Sequence, residues 1–122
     1  MNSVIIEGNI TNEPVVNDTG NGGVVCNFKI ASDRFYKKNA QLDKEVSFIE
    51  IQAWGKLAET IGRYGHKGRG VRVSGRLKQD KWEGQDGTPR SKIIIIAEHV
   101  ELRKEETRDV KEESGEEIEG AE

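Results

Sequence analysis

Phe48 and Trp54 are large aromatic residues near the middle of the chain, and their spacing predicts rings on an exposed surface. Residues 48–54 alternate in polarity, which is typical of a half-buried strand. The side that would face the core carries Ile49, Ile51 and Ala53. The other side carries both aromatic residues together with Glu50 and Gln52. Exposed rings of this kind can stack on flat partners such as nucleic-acid bases.

Further aromatic residues occur beside basic ones, which adds the neutralisation of phosphates to the stacking on flat partners. The segment at residues 34–38 reads Arg-Phe-Tyr-Lys-Lys, and Lys81 directly precedes Trp82. Lysine and arginine neutralise backbone phosphates, while rings stack on bases. The candidate aromatic contacts are Phe35, Tyr36, Phe48, Trp54 and Trp82. The candidate basic contacts are Arg34, Lys37, Lys56, Arg72, Arg76, Lys78 and Lys81.

Aromatic and basic residues together favour single-stranded nucleic acid as the ligand, because a duplex hides the faces of its nucleobases. The alternative is that these rings belong to the core or to a contact between subunits, since large aromatic residues are mostly buried. For a single ring that alternative is the better interpretation. For Phe48 and Trp54, on a strand expected to lie beside the basic stripe of Arg72, Arg76 and Lys78, we expect ligand contact instead.

The elements that must position these side chains are five predicted strands and a helix. The strands cover residues 4–10, 24–33, 48–54, 71–82 and 92–102. A short helix follows Gly55, with Leu57, Ala58, Ile61 and Tyr64 at helical spacing. The continuous apolar run at residues 93–96 predicts that both faces of the last strand are covered. This order matches an all-β, five-stranded OB-fold Greek-key barrel with one helix between its third and fourth strands.

The connections between the strands are polar. Residues 17–23 are rich in turn formers and predict a hairpin-like connection rather than a phosphate-binding loop, which would require a following helix. Residues 37–45 are interpreted as a loop, and residues 83–90 as a long hairpin loop. In the fourth strand, Val71, Val73, Gly75 and Leu77 are expected to point inward.

The charge of the chain is divided between a basic body and an acidic tail. Residues 105–122 contain nine of the 22 acidic residues and only two of the 19 basic ones, which leaves 17 basic against 13 acidic residues before them. A tail with so little apolar surface cannot offset its ordering entropy. We therefore expect a domain over residues 1–104 and a disordered acidic tail over residues 105–122.

Several functional classes are not favoured by the composition. No apolar run approaches the ~20 residues that span a bilayer, and no signal peptide is indicated, so a cytoplasmic protein is expected. The single cysteine, Cys26, has apolar neighbours and is interpreted as a buried thiol. His66 and His99 lie far apart in the predicted fold, so neither a catalytic site nor a metal site is expected, and no cofactor.

Four segments in order resemble the bacterial-type single-stranded DNA-binding proteins of replication. They are residues 21–25, residues 48–59, Lys67-Gly68 before a valine-rich strand, and residues 73–77 leading to Lys81-Trp82. The resemblance covers roughly residues 2–102. It implies sequence-independent binding and protection of single-stranded DNA in replication, recombination and repair, a homotetramer, and a place with the nucleoid. It also implies that Tyr36, Phe48, Trp54 and Trp82 stack on bases.

The resemblance conflicts with simple alternation at one place, and the chain departs from the family pattern at two others. Simple alternation would select Phe35 for the outer face, so Tyr36 can take that role only if the strand bends near Asp33; both are kept as candidates, with Tyr36 preferred. Glu50 places an acid between two rings where phosphate should pass. The tail ends at Ile118-Glu119-Gly120-Ala121-Glu122 rather than in the family's aspartate-rich tip with proline and phenylalanine. Recruitment of replication or repair partners through that tip is therefore not expected.

Two non-enzymatic alternatives remain open from the residues alone. An OB-fold assembly factor, such as a primosomal replication protein, would use the same fold mainly for protein contacts. A structural oligomer would pair the exposed rings between subunits.

Overall fold

The computed structural model describes residues 1–104 and 116–119, and its core is a closed five-stranded barrel. The chain order is β1 (Val4–Ile10), β2 (Val15–Asp18), β3 (Val24–Lys38), β4 (Gln41–Trp54), α1 (Gly55–Tyr64), β5 (Gly70–Glu83), β6 (Pro89–Leu102) and β7 (Glu116–Glu119). The neighbours around the barrel are β1, β5, β6, β4 and β3, and β1 closes it by pairing with β3. This confirms the predicted fold class, with the helix between the third and fourth barrel strands.

The core forms where the aliphatic sides of the strands meet inside the barrel. Ile30, Ile51 and Val73 are fully or almost fully buried, and α1 adds Leu57, Ala58 and Ile61 to the same cluster. Tyr64, the fourth residue at the predicted helical spacing, is instead 44% exposed at the end of α1. The two-residue period of the strands and the helical period of α1 therefore predicted most of the core.

One pair of strands is parallel, and it decides which elements are neighbours. β4 pairs with β6 through Ile51 opposite Ile95 and Gln52 opposite Ile96. β5 pairs with β1 and β6 but not with β4. The expectation that the basic strand lies directly beside the aromatic strand is therefore wrong, because β6 separates them.

The strands of both long hairpins extend beyond their predicted ends. The pairing of β3 with β4 continues from Val25 opposite Trp54 to Lys38 opposite Gln41. The predicted loop over residues 37–45 is accordingly a two-residue turn at Asn39 and Ala40, which have φ values of 52° and 63°. These positive values fit the type I′ turn, whose twist matches that of antiparallel strands.

The β5–β6 hairpin contains one irregularity, and its outer end is more exposed than predicted. Its register shifts between Ser74 and Gly75, where a Cβ on Gly75 would overlap the backbone of Ile96. Leu77 lies directly opposite the core residue Ile95, on the side of β5 that was predicted to face inward, but it is 44% exposed rather than buried. In the run at residues 93–96 the last three isoleucines are buried as predicted, but Ile93 is exposed because the hairpin extends past the barrel.

Two short strands were not predicted. β2 pairs with the start of β3, and the turn between them confirms the expected hairpin-like connection. β7 lies within the predicted disordered tail, and its backbone pairs antiparallel with β6 from His99 opposite Glu119 to Leu102 opposite Glu116. Residues 105–115 and 120–122, which carry the remainder of that prediction, lie outside the described residues.

Candidate nucleic-acid interface

The outer face of β3 and β4 forms the floor of the candidate interface. Continuous alternation along β4 places Phe48, Glu50, Gln52 and Trp54 on the side opposite the core, as predicted. Phe48 and Trp54 are 64% and 48% exposed, although each follows or precedes a buried or half-buried aliphatic residue. Six residue steps along a strand separate these two rings by roughly 20 Å.

The polar side chains between the rings fix the orientation of Trp54. The indole Nε1 donates a hydrogen bond to Oε1 of Gln52 at 3.0 Å, and Nε2 of Gln52 donates to Oδ1 of Asn27 at 3.1 Å. Asn27 stands directly opposite Gln52 on β3. Because the edge of the indole is held in this way, its exposed faces keep a defined orientation.

A groove of about 550 Å³ lies over this floor. Asn27 and Lys29 of β3 and Glu50 and Gln52 of β4 line its base. Its sides are formed by the β1–β2 connection, at Thr11 and Asn12, and by the β5–β6 hairpin, at Asp80 and Lys92. The groove is therefore bounded by two hairpin regions that are far apart in sequence.

Phe35 and Tyr36 lie on opposite faces of the long β3–β4 hairpin. The register runs without a shift from Val25 to Lys38, so alternation places Phe35 on the same face as Phe48. Phe35 is 61% exposed. Tyr36 lies on the other face, where its hydroxyl contacts Asp43 Oδ2 at 3.4 Å and the Arg34 guanidinium lies 5.4 Å from the ring centroid. No shift in register marks the bend near Asp33 that would exchange the two rings.

Trp82 lies near the tip of the β5–β6 hairpin rather than at its base. The residue is opposite Arg90 and is 45% exposed. The Lys92 ammonium group lies over its ring, 5.7 Å from the centroid. Trp82 itself lines a separate depression with Pro89 and Arg90. Its link to the groove is Lys92, a lysine that the sequence pattern did not single out.

The predicted basic residues divide into two groups. Arg34, Arg72 and Arg76 each contact carboxylates: Glu45 at 3.2 Å, Glu7 at 3.0 Å with Glu101 at 3.6 Å, and Glu98 at 3.8 Å. Within residues 1–104 no ion pair involves the other four, which are Lys37, Lys56, Lys78 and Lys81. The charge of the three arginines is partly compensated, whereas within residues 1–104 the charge of these four lysines is not.

Arg72 lies apart from the groove. It contributes to a second surface depression together with Ser74 of β5, Glu7 of β1 and His99 of β6. Arg76 and Lys78 stand on the outer side of the barrel opposite Ile96 and Ile94 of β6, one strand farther from β4 than predicted. The predicted stripe therefore does not lie directly beside Phe48 and Trp54.

Glu50, whose place between two rings the sequence did not explain, forms an ion pair in the groove. Its Oε1 lies 2.7 Å from Nζ of Lys92, and Lys29 is its direct neighbour across the β3–β4 pair. Sequence reasoning missed Lys29, Asn27 and Lys92 as groove residues. Alternation along the strands could have shown that these residues face outward. It could not have shown that β6 pairs with β4 and so brings Lys92 to the groove.

The described residues contain no group of three or more histidine, cysteine or acidic side chains placed to hold a metal ion. Cys26 is completely buried, as predicted, and burial raises the pKa of its thiol to about 11. A thiol with that pKa remains protonated near neutral pH and is a poor nucleophile. Among the described residues, no helix is long and apolar enough to cross a membrane.

A family model and individual relatives of known name both match this chain, and they agree on its family. The model of the single-strand binding protein family matches residues 1–103. The chain is 38% identical over 102 residues to a single-stranded DNA-binding protein of Treponema pallidum, covering 84% of this chain and 57% of that protein. It is 41% identical over 103 residues to the one from Aquifex aeolicus, covering 84% and 69%. The chain therefore spans between half and three quarters of the length of these relatives.

A solved structure has the same fold as this barrel. The barrel resembles the Plasmodium falciparum SSB in its complex with ssDNA, with a TM-score of 0.75 and 25% identity over 84% of this chain and 92% of that one. The match of the family model covers the whole barrel, and the alignments to the curated relatives are of about the same length. This chain belongs to the single-strand binding protein family.

Proposed function

We propose that this protein binds single-stranded DNA without sequence preference, along the outer face of β3 and β4 and the neighbouring side of the β5–β6 hairpin. The observation that carries the proposal is the exposure of Phe48 and Trp54 on the face of β4 that supplies the floor of the groove, with Trp82 linked to the groove through Lys92. Its relatives are named for single-stranded DNA binding, and its structural neighbour is a complex with ssDNA.

The rings supply the part of the affinity that does not depend on sequence. Each stacked base contributes about 1–3 kcal/mol because every base has a π-face. Phe48 and Trp54 are the first candidates, since both lie on the rigid β4 strand with their rings exposed. Phe35 is the candidate at the far end of the β3–β4 hairpin, on the same face, and Tyr36 remains a candidate on the other face.

The lysines supply the attraction to the backbone. Lys37 on β3, Lys56 at the start of α1, and Lys78 and Lys81 on β5 are exposed. Each phosphate that these residues neutralise releases counterions, so binding must weaken as salt rises. Arg34, Arg72 and Arg76 would have to leave their carboxylate partners to contribute fully.

Binding rather than catalysis is the proposed activity. In the cell it would protect single strands during replication, recombination and repair, in the cytoplasm with the nucleoid. The family resemblance also favours a homotetramer as the working form. Native mass measurement, with and without a long oligonucleotide, would give the number of chains and contradict the proposed tetramer if it found monomers throughout.

Titration with oligothymidine, followed by tryptophan fluorescence, tests the proposed function. Stacking on Trp54 or Trp82 should quench their emission strongly, and an equal mass of duplex DNA should quench far less. A plot of log K against log salt should fall by about 0.7 for each phosphate neutralised. Absence of quenching by the oligonucleotide would contradict the proposal and favour an assembly factor or a structural oligomer.

A further inference from the structure

We propose that Glu50 is a built-in competitor for DNA: it holds Lys92 in the groove of the free protein and gives it up when a phosphate arrives. The inference rests on the proposed function. Glu50 Oε1 and Lys92 Nζ are 2.7 Å apart, and both side chains are partly exposed, so the pair can open without unfolding. Glu50 lies on the floor of the groove and Lys92 on its side wall.

The same lysine also covers a candidate stacking surface. Its ammonium group lies over the Trp82 ring, 5.7 Å from the centroid, in a cation–π position. A base that stacks on this face must displace the ammonium group. The displaced lysine would be close to the backbone phosphates of the same strand, so stacking on Trp82 and the release of Lys92 from Glu50 are expected to occur together.

The charges around this pair are balanced, which explains why an acid is tolerated in the groove. Lys29 stands directly opposite Glu50 on β3, and Asp80 stands directly opposite Lys92 on β5. All four side chains line the groove. Two carboxylates therefore balance two ammonium groups in the groove, and among residues 1–104 the only ion pair within this set joins Glu50 and Lys92.

An exposed ion pair of this kind is weak, which suits a contact that must open. Such pairs contribute little to stability because solvent screens them and because ordering two side chains costs entropy. A phosphate competes for Lys92 as a further anion, while the carboxylate of Glu50 repels it. Glu50 should therefore lower both the affinity for DNA and the number of ions released on binding.

The test compares oligothymidine binding by the full chain and by Glu50→Gln over a range of salt concentrations. Removing the carboxylate frees Lys92 and abolishes the repulsion, so affinity near 0.1 M salt should rise about fivefold. The log K against log salt plot should become steeper by about 0.7, the value for one phosphate on a single strand, because in the original chain the carboxylate that Lys92 leaves behind offsets one neutralised phosphate. A structural role for Glu50 would not change this slope.

Two further variants make the result specific. Glu50→Gln combined with Lys92→Met should lose the gain and return to the original slope, because the freed cation is gone. Glu59→Gln removes the same charge from the exposed side of α1, where no ion pair holds Glu59 among residues 1–104, and should leave the slope unchanged. Thermal unfolding of each variant verifies that the barrel is intact.

The outcomes separate this inference from the proposed function. If the original chain binds oligothymidine but Glu50→Gln has the same affinity and slope, the competitor role is wrong while the proposed function stands. If the double variant keeps the gain, Lys92 is not the cation that Glu50 holds. If the original chain does not bind at all, both proposals fail.

Discussion

Phe48 and Trp54 expose large apolar surfaces that the folding of this chain does not require. Both follow the period of a strand whose other side is buried, so their exposure is set by register rather than by a loose loop. Trp54 is further held by Gln52, which is itself held by Asn27. Rings that are rigid before binding lose little conformational entropy on stacking.

Replacement of these rings by alanine should weaken binding without unfolding the barrel. Phe48→Ala or Trp54→Ala is expected to reduce the affinity for oligothymidine by about 1–3 kcal/mol each, the range for one stacked base. Trp82 remains as the fluorescent reporter in both variants.

The matched control for this experiment is Tyr64→Ala, which truncates a ring at the end of α1 that is 44% exposed, close to the 48% of Trp54. Its affinity should remain that of the original chain. Unchanged affinity in both Phe48→Ala and Trp54→Ala would assign these rings to a contact between subunits instead.

At the scale of elements, the β3–β4 hairpin determines how far the aromatic face extends. Its two strands stay paired as far as Lys38 and Gln41, which carries Phe35 well beyond the barrel. The hairpin closes through Asn39 and Ala40, both with positive φ. Asparagine tolerates this conformation, but the Cβ of alanine is disfavoured there.

Ala40→Gly should therefore stabilise the hairpin by about 1 kcal/mol, because relief of the left-handed strain exceeds the added entropy of the unfolded chain. Urea denaturation measures the change, with Ala31→Gly in the paired part of β3 as a control that should destabilise instead. A lower midpoint for Ala40→Gly would show that alanine is not strained at this turn.

The α1 helix is tied to β4 by a single residue with special backbone geometry. Gly55 directly follows Trp54 and has a φ of 66°, which allows the chain to leave the strand and enter the helix without a loop. This junction holds Trp54 at the end of a rigid strand and Lys56 in the first turn of the helix. The backbone turn at Gly55 therefore positions both the candidate stacking residue Trp54 and the candidate phosphate contact Lys56.

At the scale of the whole molecule, charge is separated between the barrel and the segment after it. The segment over residues 105–122 has seven more acidic than basic residues, since nine are acidic and two are basic. Part of it, β7, pairs with the edge of β6 at His99–Leu102. An acidic segment tethered to the net-basic body at residues 1–104 would compete with DNA at a high effective concentration, and salt would screen the competition.

Removal of residues 105–122 should leave the affinity for oligothymidine unchanged or somewhat higher at low salt, because a tethered polyanion is lost. The difference between the full and shortened chains should shrink as salt rises, since the Debye length falls to ~3 Å at 1 M. Parallel titrations at several salt concentrations measure it. Weaker binding by the shortened chain would mean that the segment supports the interface directly.

The sequence by itself determined which residues face inward and which face outward. Alternation on the strands predicted the burial of Ile30, Ile51 and Val73 and the exposure of Phe48 and Trp54, because side-chain direction depends only on local backbone geometry. The order of strands and helix was sufficient for the barrel. Asn39-Ala40 was missed because alanine is not a residue that signals a type I′ turn.

The tertiary structure alone decided which outward residues share a surface. Strand pairing joins segments that are distant in the chain, and a two-residue period carries no information about the neighbour. The parallel contact of β4 with β6 therefore set Lys92 beside Glu50, moved Arg76 and Lys78 one strand away, and left Arg72 with Glu7 and Glu101. The face of the strand on which a residue lies follows from the local sequence, whereas the residues that it meets on other strands are decided by how the barrel is assembled.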